Sequence, residues 1–241
     1  MAMEKVTYNV EDGVAVITLA DGENRFNPVF LTGFLDVLDA VEQQTDARAV
    51  IVISAHEKIF CNGIDLEWLA PILQQGDREA AVRFFYQLNQ LFLSLLTYPL
   101  TTIAAINGHA FAGGAIMSCA FDFRFMRTKR GYFCLPEVDL GIPFLPGMNA
   151  ILGKAIPYPH LIEMQLTGAR LTAETCAEHG IVKKACDVEA LMPEATQFAQ
   201  ANGKERAVVA EFKKRLYKSI IHAIDVEDSV YIESGVYHIT G

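Results

Sequence analysis

Phe111-Ala112-Gly113-Gly114-Ala115-Ile116-Met117 sets two adjacent glycines after an extended, β-branched segment, Thr101 to Ile106, and before small and apolar residues suited to a buried helix. A helix starting at that pair leaves its first N–H groups without intrahelical partners at the positive end of its dipole. Such an end suits an anion or a developing oxyanion. For an isolated glycine pair, a tight turn with close helix packing is the better reading. A second glycine loop, Phe60-Cys61-Asn62-Gly63-Ile64-Asp65-Leu66, and a carboxylate further along, Glu137, favour the chemical one.

The segments around these loops alternate strand and helix. Val6 to Val10 and Val14 to Leu19 alternate in polarity across Glu11-Asp12-Gly13, a hairpin signal. Asn27-Pro28 then opens a run, Phe30, Leu31, Phe34, Leu35, Leu38 and Val41, at helical spacing, with Pro28 in the first turn. The continuous apolar runs Ala49 to Ile53 and Thr101 to Ile106 read as buried strands. Asp65 to Leu96 is helical around a loop near Gly76-Asp77. Asp122 to Met126 and Tyr132 to Leu135 follow as short strands across the Lys129-Arg130-Gly131 turn. Leu161 to Leu166, Thr172 to His179 (capped by Thr172) and Val188 to Ala201 read as helices, and Lys204 to Ile221 carries the strongest amphipathic pattern. The expected architecture is a layered α/β core over residues 1–187 and a helical C-terminal region, 188–241, that packs on the core or on a partner. No internal repeat is visible.

At 241 residues, with 51% hydrophobic and 20% charged residues, the chain can bury one large core, and no polar tract suggests disorder. A net charge of -9 argues against general nucleic-acid binding, which needs a basic stripe to displace counterions. The five cysteines lack paired CxxC spacing, consistent with reduced thiols in a cytosol-like compartment. His56, His109, His160, His179, His222 and His238 lack metal-site spacing, so no metal is expected. Neither a secretory segment nor an apolar run of membrane-spanning length is visible.

Three ordered segments, Phe60 to Leu66, Ile106-Asn107-Gly108-His109-Ala110-Phe111-Ala112-Gly113-Gly114 and Leu135-Pro136-Glu137-Val138-Asp139-Leu140-Gly141-Ile142, resemble the signatures of the crotonase, or enoyl-CoA hydratase/isomerase, superfamily. The resemblance runs from the hairpin to about residue 185 and, less sharply, through the helical tail. It implies a crotonase-like spiral of ββα units with a C-terminal helical region, an acyl-CoA thioester substrate, and a homotrimer, often paired into a hexamer. By position in the motifs, the thioester oxygen would sit between the backbone N–H groups of Ile64 and Gly113. Two preorganised donors stabilise an enolate oxygen more than the ground-state carbonyl.

In hydratases of this superfamily two glutamates hold a water, one in the turn after the glycines and one in the Pro-Glu motif. Here those positions are Ile116 and Glu137. An isoleucine neither accepts a proton nor orients water, whereas one carboxylate can still carry a proton between two carbons. The apolar neighbours Phe133, Leu135, Val138, Leu140, Ile142 and Phe144 would raise the carboxyl pKa of Glu137. Without the glycine loops, Glu137 would read as a surface residue capping a short helix; Asp139 is a weaker candidate base, and Asp65 or Glu67 a helix cap.

This pattern is most similar to the Δ3,Δ2-enoyl-CoA isomerases of peroxisomal and plant type, which implies fatty-acid metabolism. The terminal Ile239-Thr240-Gly241 is no peroxisomal tripeptide, so a cytoplasmic setting is expected. Arg25 and Phe26 match the family's first CoA-contacting turn, and Lys58 precedes the oxyanion loop; phosphate contact and solvated charge both stay open for the two cations. Gly63, Asp65, Leu66 and Gly114 complete the expected binding set. No cofactor is expected beyond the coenzyme A of the substrate. Trp68, Leu69, Ile72, Phe84, Phe85 and Leu88 fit an acyl tunnel or ordinary core. A hydratase, another crotonase-type thioester reaction, and a non-catalytic acyl-CoA-binding protein are the alternatives.

Overall fold

The protein is described by a computed structural model covering residues 5–235. The chain opens with the hairpin β1 (Val6–Glu11) and β2 (Val14–Leu19), followed by α1 (Pro28–Gln44), whose Asn27 cap accepts the Phe30 N–H. Three turns of one pattern come next, each with a strand, a second short strand and a helical segment. They are β3 (Ala49–Ser54), β4 (Ile59–Cys61), α2 (Leu66–Gln74) and α3 (Arg78–Thr97); then β5 (Thr101–Ile106), β6 (His109–Phe111) and α4 (Gly113–Ala120); then β7 (Phe123–Arg127), β8 (Phe133–Cys134) and α5 (Glu137–Leu140). The chain continues through α6 (Pro146–Ala155), α7 (Tyr158–Thr167), β9 (Arg170–Leu171), α8 (Ala173–Glu178), β10 (Lys184–Cys186), α9 (Val188–Asn202), α10 (Arg206–Leu216) and α11 (Lys218–His222). A π-helical turn, Ala223–Glu227, leads into α12 (Asp228–Ser234).

Each turn places its first strand in one sheet and its second in another. The larger sheet has the order β1-β2-β3-β5-β7-β10 and is parallel apart from the β1–β2 hairpin; the smaller has the order β4-β6-β8-β9. Chain order is thus kept in both sheets, so the backbone advances as a spiral of ββα units. The repeat lies in this topology and not in the sequence. The expected pair of strands about Lys129-Arg130-Gly131 forms no hairpin, because β7 hydrogen-bonds in the larger sheet and β8 in the smaller.

The apolar runs follow from burial on both faces. On β3, Val50 and Val52 join the main core with Phe30, Phe34 and Phe92, while Ala49 and Ile51 join a second cluster with Leu191, Ala195 and Ala199 of α9. β5 divides the same way, Ala104 and Ile106 to one side and Ile103 and Ala105 to the other. Among the described residues no helix is long and apolar enough to cross a membrane, and no three His, Cys, Asp or Glu side chains gather as a metal-binding group.

Candidate active site

The three loops singled out in the sequence leave the C-terminal ends of β4, β6 and β8, neighbours in the smaller sheet. The spiral therefore sets segments far apart in sequence side by side. After β4, Gly63 has φ +74°, and a Cβ there would lie 2.5 Å from the Gly113 nitrogen. Phe26 donates its N–H to the Gly63 carbonyl at 2.7 Å and accepts the Asp65 N–H at 3.0 Å. These bonds use the residues flanking Ile64, whose own N–H has no partner among the described residues. Asp65 caps α2, its Oδ1 accepting the Trp68 N–H at 3.2 Å.

After β6 the chain turns through Ala112 at φ 50°, ψ -125°, a conformation costly for a residue with a side chain. Its N–H donates to Cys134 and its carbonyl accepts the N–H groups of Ala115 and Ile116. The turn starts α4 at Gly113, whose N–H also lacks a partner among the described residues. Both glycines are needed for close approach. A Cβ on Gly113 would meet the Phe26 ring at 2.9 Å, and one on Gly114 would overlap the Cys61 carbonyl.

After β8, Pro136 leads into the short helix α5 at Glu137. The Glu137 side chain is 6% exposed, and its Oε2 is closed to solvent with no hydrogen-bond partner among the described residues. Desolvation raises its pKa to about 7, opposed by a hydrogen bond from its own backbone N–H. Asp139 faces outward toward Gly168, away from this position.

Ile64, Gly113, Glu137 and Ile116 border one cavity of about 470 Å³. Ile116, 2% exposed, lies one turn into α4 and presents hydrocarbon. Leu66, Phe85 and Leu88 also line the cavity, whereas Trp68, Leu69, Ile72 and Phe84 do not. Arg25 stands at the edge, bonded to Glu23 at 2.6 Å and to Glu67 at 2.9 Å, and both carboxylates raise its pKa, Glu23 the more. Phe26 lies outside the lining: it is fully buried beneath the glycine turns. Lys58 is exposed at the start of β4, the opposite end from Gly63, and does not border the cavity.

Of the apolar neighbours expected round Glu137, Leu140, Ile142 and Phe144 line the cavity and Phe133, Leu135 and Val138 do not; Phe111, Leu145, Met148 and Tyr231 line it as well, and sequence reasoning missed them. α6 had a signal: Pro146 at its first position, then Met148, Ile151, Leu152 and Ala155 at helical spacing. Tyr231 had none, since its place depends on how the last helices fold back. Two backbone donors and one carboxyl bordering an apolar cavity can hold negative charge on an oxygen while a proton moves nearby.

A family model described as enoyl-CoA hydratase/isomerase matches residues 9–238. Enoyl-CoA delta isomerase 3 of Arabidopsis thaliana is 31% identical over 222 residues, which are 86% of this chain and 89% of that protein. A putative enoyl-CoA hydratase of Thermus thermophilus is 32% identical over 213 residues, 86% of this chain and 81% of that protein. The crystal structure of human mitochondrial delta3-delta2-enoyl-CoA isomerase has a TM-score of 0.85 at 22% identity, covering 96% of this chain and 90% of that one. At that identity the likeness is one of fold.

Proposed function

Because the chain belongs to the enoyl-CoA hydratase/isomerase family, we propose that it moves the double bond of a 3-enoyl-CoA to the 2-trans position. One observation carries the reading: among the described residues Glu137 is the one carboxylate lining the cavity, and Ile116 stands where a second is expected. Hydration requires another group to hold water, and a hydrocarbon side chain supplies none.

In the proposed mechanism the thioester oxygen accepts hydrogen bonds from the N–H groups of Ile64 and Gly113. Ionised Glu137 takes a proton from C2, and the electrons of that C–H bond pass into a dienolate spanning C1 to C4, with its charge on the oxygen between the two donors. The protonated carboxyl then delivers the proton to C4. The double bond is left between C2 and C3, and Glu137 returns to its ionised form. A carboxyl pKa of about 7 suits both halves of this cycle at neutral pH. No cofactor beyond the coenzyme A of the substrate is invoked. A cytoplasmic setting and assembly into a homotrimer or hexamer belong to the same proposal.

The test is turnover of a panel of 3-enoyl- and 2-enoyl-CoA thioesters with product identification. Wild type is expected to form 2-trans-enoyl-CoA, and Glu137→Gln to lose on the order of 10²–10⁴ in kcat while still binding ligand. Unchanged turnover in the variant overturns the assignment. Hydration of crotonyl-CoA faster than isomerisation replaces it with a hydratase, and binding without turnover with a non-catalytic acyl-CoA-binding role.

A further inference from the structure

Besides the glycine loops, three helices distant in sequence supply cavity lining: Phe85 and Leu88 on α3, Leu145 and Met148 at the start of α6, and Tyr231 on α12. One carboxylate is bonded into all three. Asp228 belongs to α12 and is fully buried; its Oδ1 accepts the Gly147 N–H at 2.7 Å and its Oδ2 accepts the Asn89 Nδ2–H at 2.9 Å. Asn89 follows Leu88, Gly147 lies between Leu145 and Met148, and Tyr231 is one turn after Asp228. Each end of the bonded group therefore sits beside a lining residue.

The local geometry is built for this contact. α6 has no side-chain cap of its own, so Asp228 supplies an acceptor to its first turn and meets the positive end of its dipole. Gly147 makes room, since a Cβ there would lie 2.5 Å from Ile224 Cγ1 and 2.6 Å from Asp228 Oδ2. The π-helical turn Ala223–Glu227 precedes Asp228 directly, and turns of this kind occur often at functional positions. An apolar side chain would fill the same space without desolvating a carboxyl group, so packing alone does not account for the choice.

We propose that Asp228 is a positioning residue for acyl-chain selection: by tying α12 to α3 and α6 it fixes Tyr231 in the cavity wall, where the bulk of Tyr231 limits the chain length accepted. This rests on the acyl-thioester reading given above. The experiment compares wild type, Tyr231→Ala, Asp228→Ala and Asp228→Asn in two ways. One is kcat/KM on 3-enoyl-CoA of short, medium and long chain; the other is affinity for saturated acyl-CoA of the same lengths, which needs no turnover.

Tyr231→Ala is expected to shift the long-to-short ratio by about tenfold toward long chains. Asp228→Ala is expected to flatten the length profile. Asp228→Asn should keep it, because the amide retains an acceptor for Gly147 and can donate to Asn89 Oδ1, which has no partner among the described residues. A folded Asp228→Ala with lowered stability and an unchanged length profile, or an unchanged ratio in Tyr231→Ala, overturns the proposal. Tyr231 is half exposed, so its variant reads the effect even if Asp228→Ala fails to fold. A shifted affinity profile without any isomerisation supports this proposal while refuting the isomerase reading, and no affinity of wild type for any acyl-CoA refutes both.

Discussion

Glu137 sits in surroundings that favour its protonated form, and the consequence for activity opposes the consequence for stability. Its folded-state pKa of about 7 lies above the ordinary 4.5. A base that must be ionised to act then gives a kcat/KM that rises with pH to a plateau above about 7, falling tenfold per unit below it. A pH–rate profile flat from 5 to 9 would contradict this assignment. Stability runs the other way. The folded protein holds the proton more tightly than the unfolded chain, so the group's contribution is full below about pH 4.5, declines as pH rises, and is lost above about 7. The gap corresponds to on the order of 3 kcal/mol. Glu137→Gln is therefore expected to be more stable than wild type at pH 8 by up to that amount, with the gain vanishing near pH 4, as read by urea unfolding at both pH values. The motif residues around Glu137 were legible because glycine and carboxylate chemistry is local. Phe26 illustrates what was not: its match to a ligand-contacting turn says nothing of the fact that its ring is packed under Gly113.

At the scale of elements, α4 links the glycine loop to the core. Its N-terminal residue is Gly113, and its C-terminal carbonyls are held by two basic side chains. Lys154 Nζ donates to Cys119, Ala120 and Phe121, and Arg124 donates to Ser118 and Phe121. Positive charge at a helix C-terminus complements the dipole; Arg124 supplies it, while burial opposes it at Lys154, whose pKa is pushed down to about 7. Glycines in helices differ accordingly. Gly114→Ala would press a methyl group into the Cys61 carbonyl and is expected to cost about 1–3 kcal/mol or more. Gly153→Ala, in the interior of α6 with nothing within 4 Å of the added Cβ, is expected to stabilise by about 0.5–1 kcal/mol. Thermal or chemical unfolding of the pair reads both; equal effects would contradict the packing argument. The long strands and helices were legible because periodicity records burial. The two- and three-residue strands β4, β6, β8 and β9 were not recognised as a second sheet, since each is too short to show a period and is fixed by its neighbours in the spiral.

At the scale of the molecule, α10 turns the usual logic of an amphipathic helix outward. Its buried side chain is Lys213, 6% exposed, which pairs with Asp122 at 2.6 Å and donates to the Leu100 carbonyl at 2.8 Å. Val208, Phe212 and Leu216, four apart, form an apolar stripe beside Lys213 that faces water, with Phe212 71% and Leu216 70% exposed. α7 presents a similar row, Tyr158, Ile162 and Leu166. The amphipathic pattern was plain in the sequence, but which face would meet the core was not, because a buried ion pair has no periodic signature. Water-facing rows of large apolar side chains mark surfaces that bind other chains. Within the proposed homotrimer they are the surfaces expected to be covered by further copies. Sedimentation equilibrium at micromolar concentration is expected to give three copies or a multiple. Phe212→Asp combined with Leu216→Asp should shift the mass toward the monomer, since placing carboxylates in a desolvated interface is costly, while a single copy tolerates charge at positions already in water. A wild-type protein that sediments as a monomer, or a double variant with unchanged mass, would leave the α10 stripe without this role. In either case Lys213, paired with Asp122, and Arg206, which donates to the Glu42, Thr45 and Ala47 carbonyls, would account for the placement of α10.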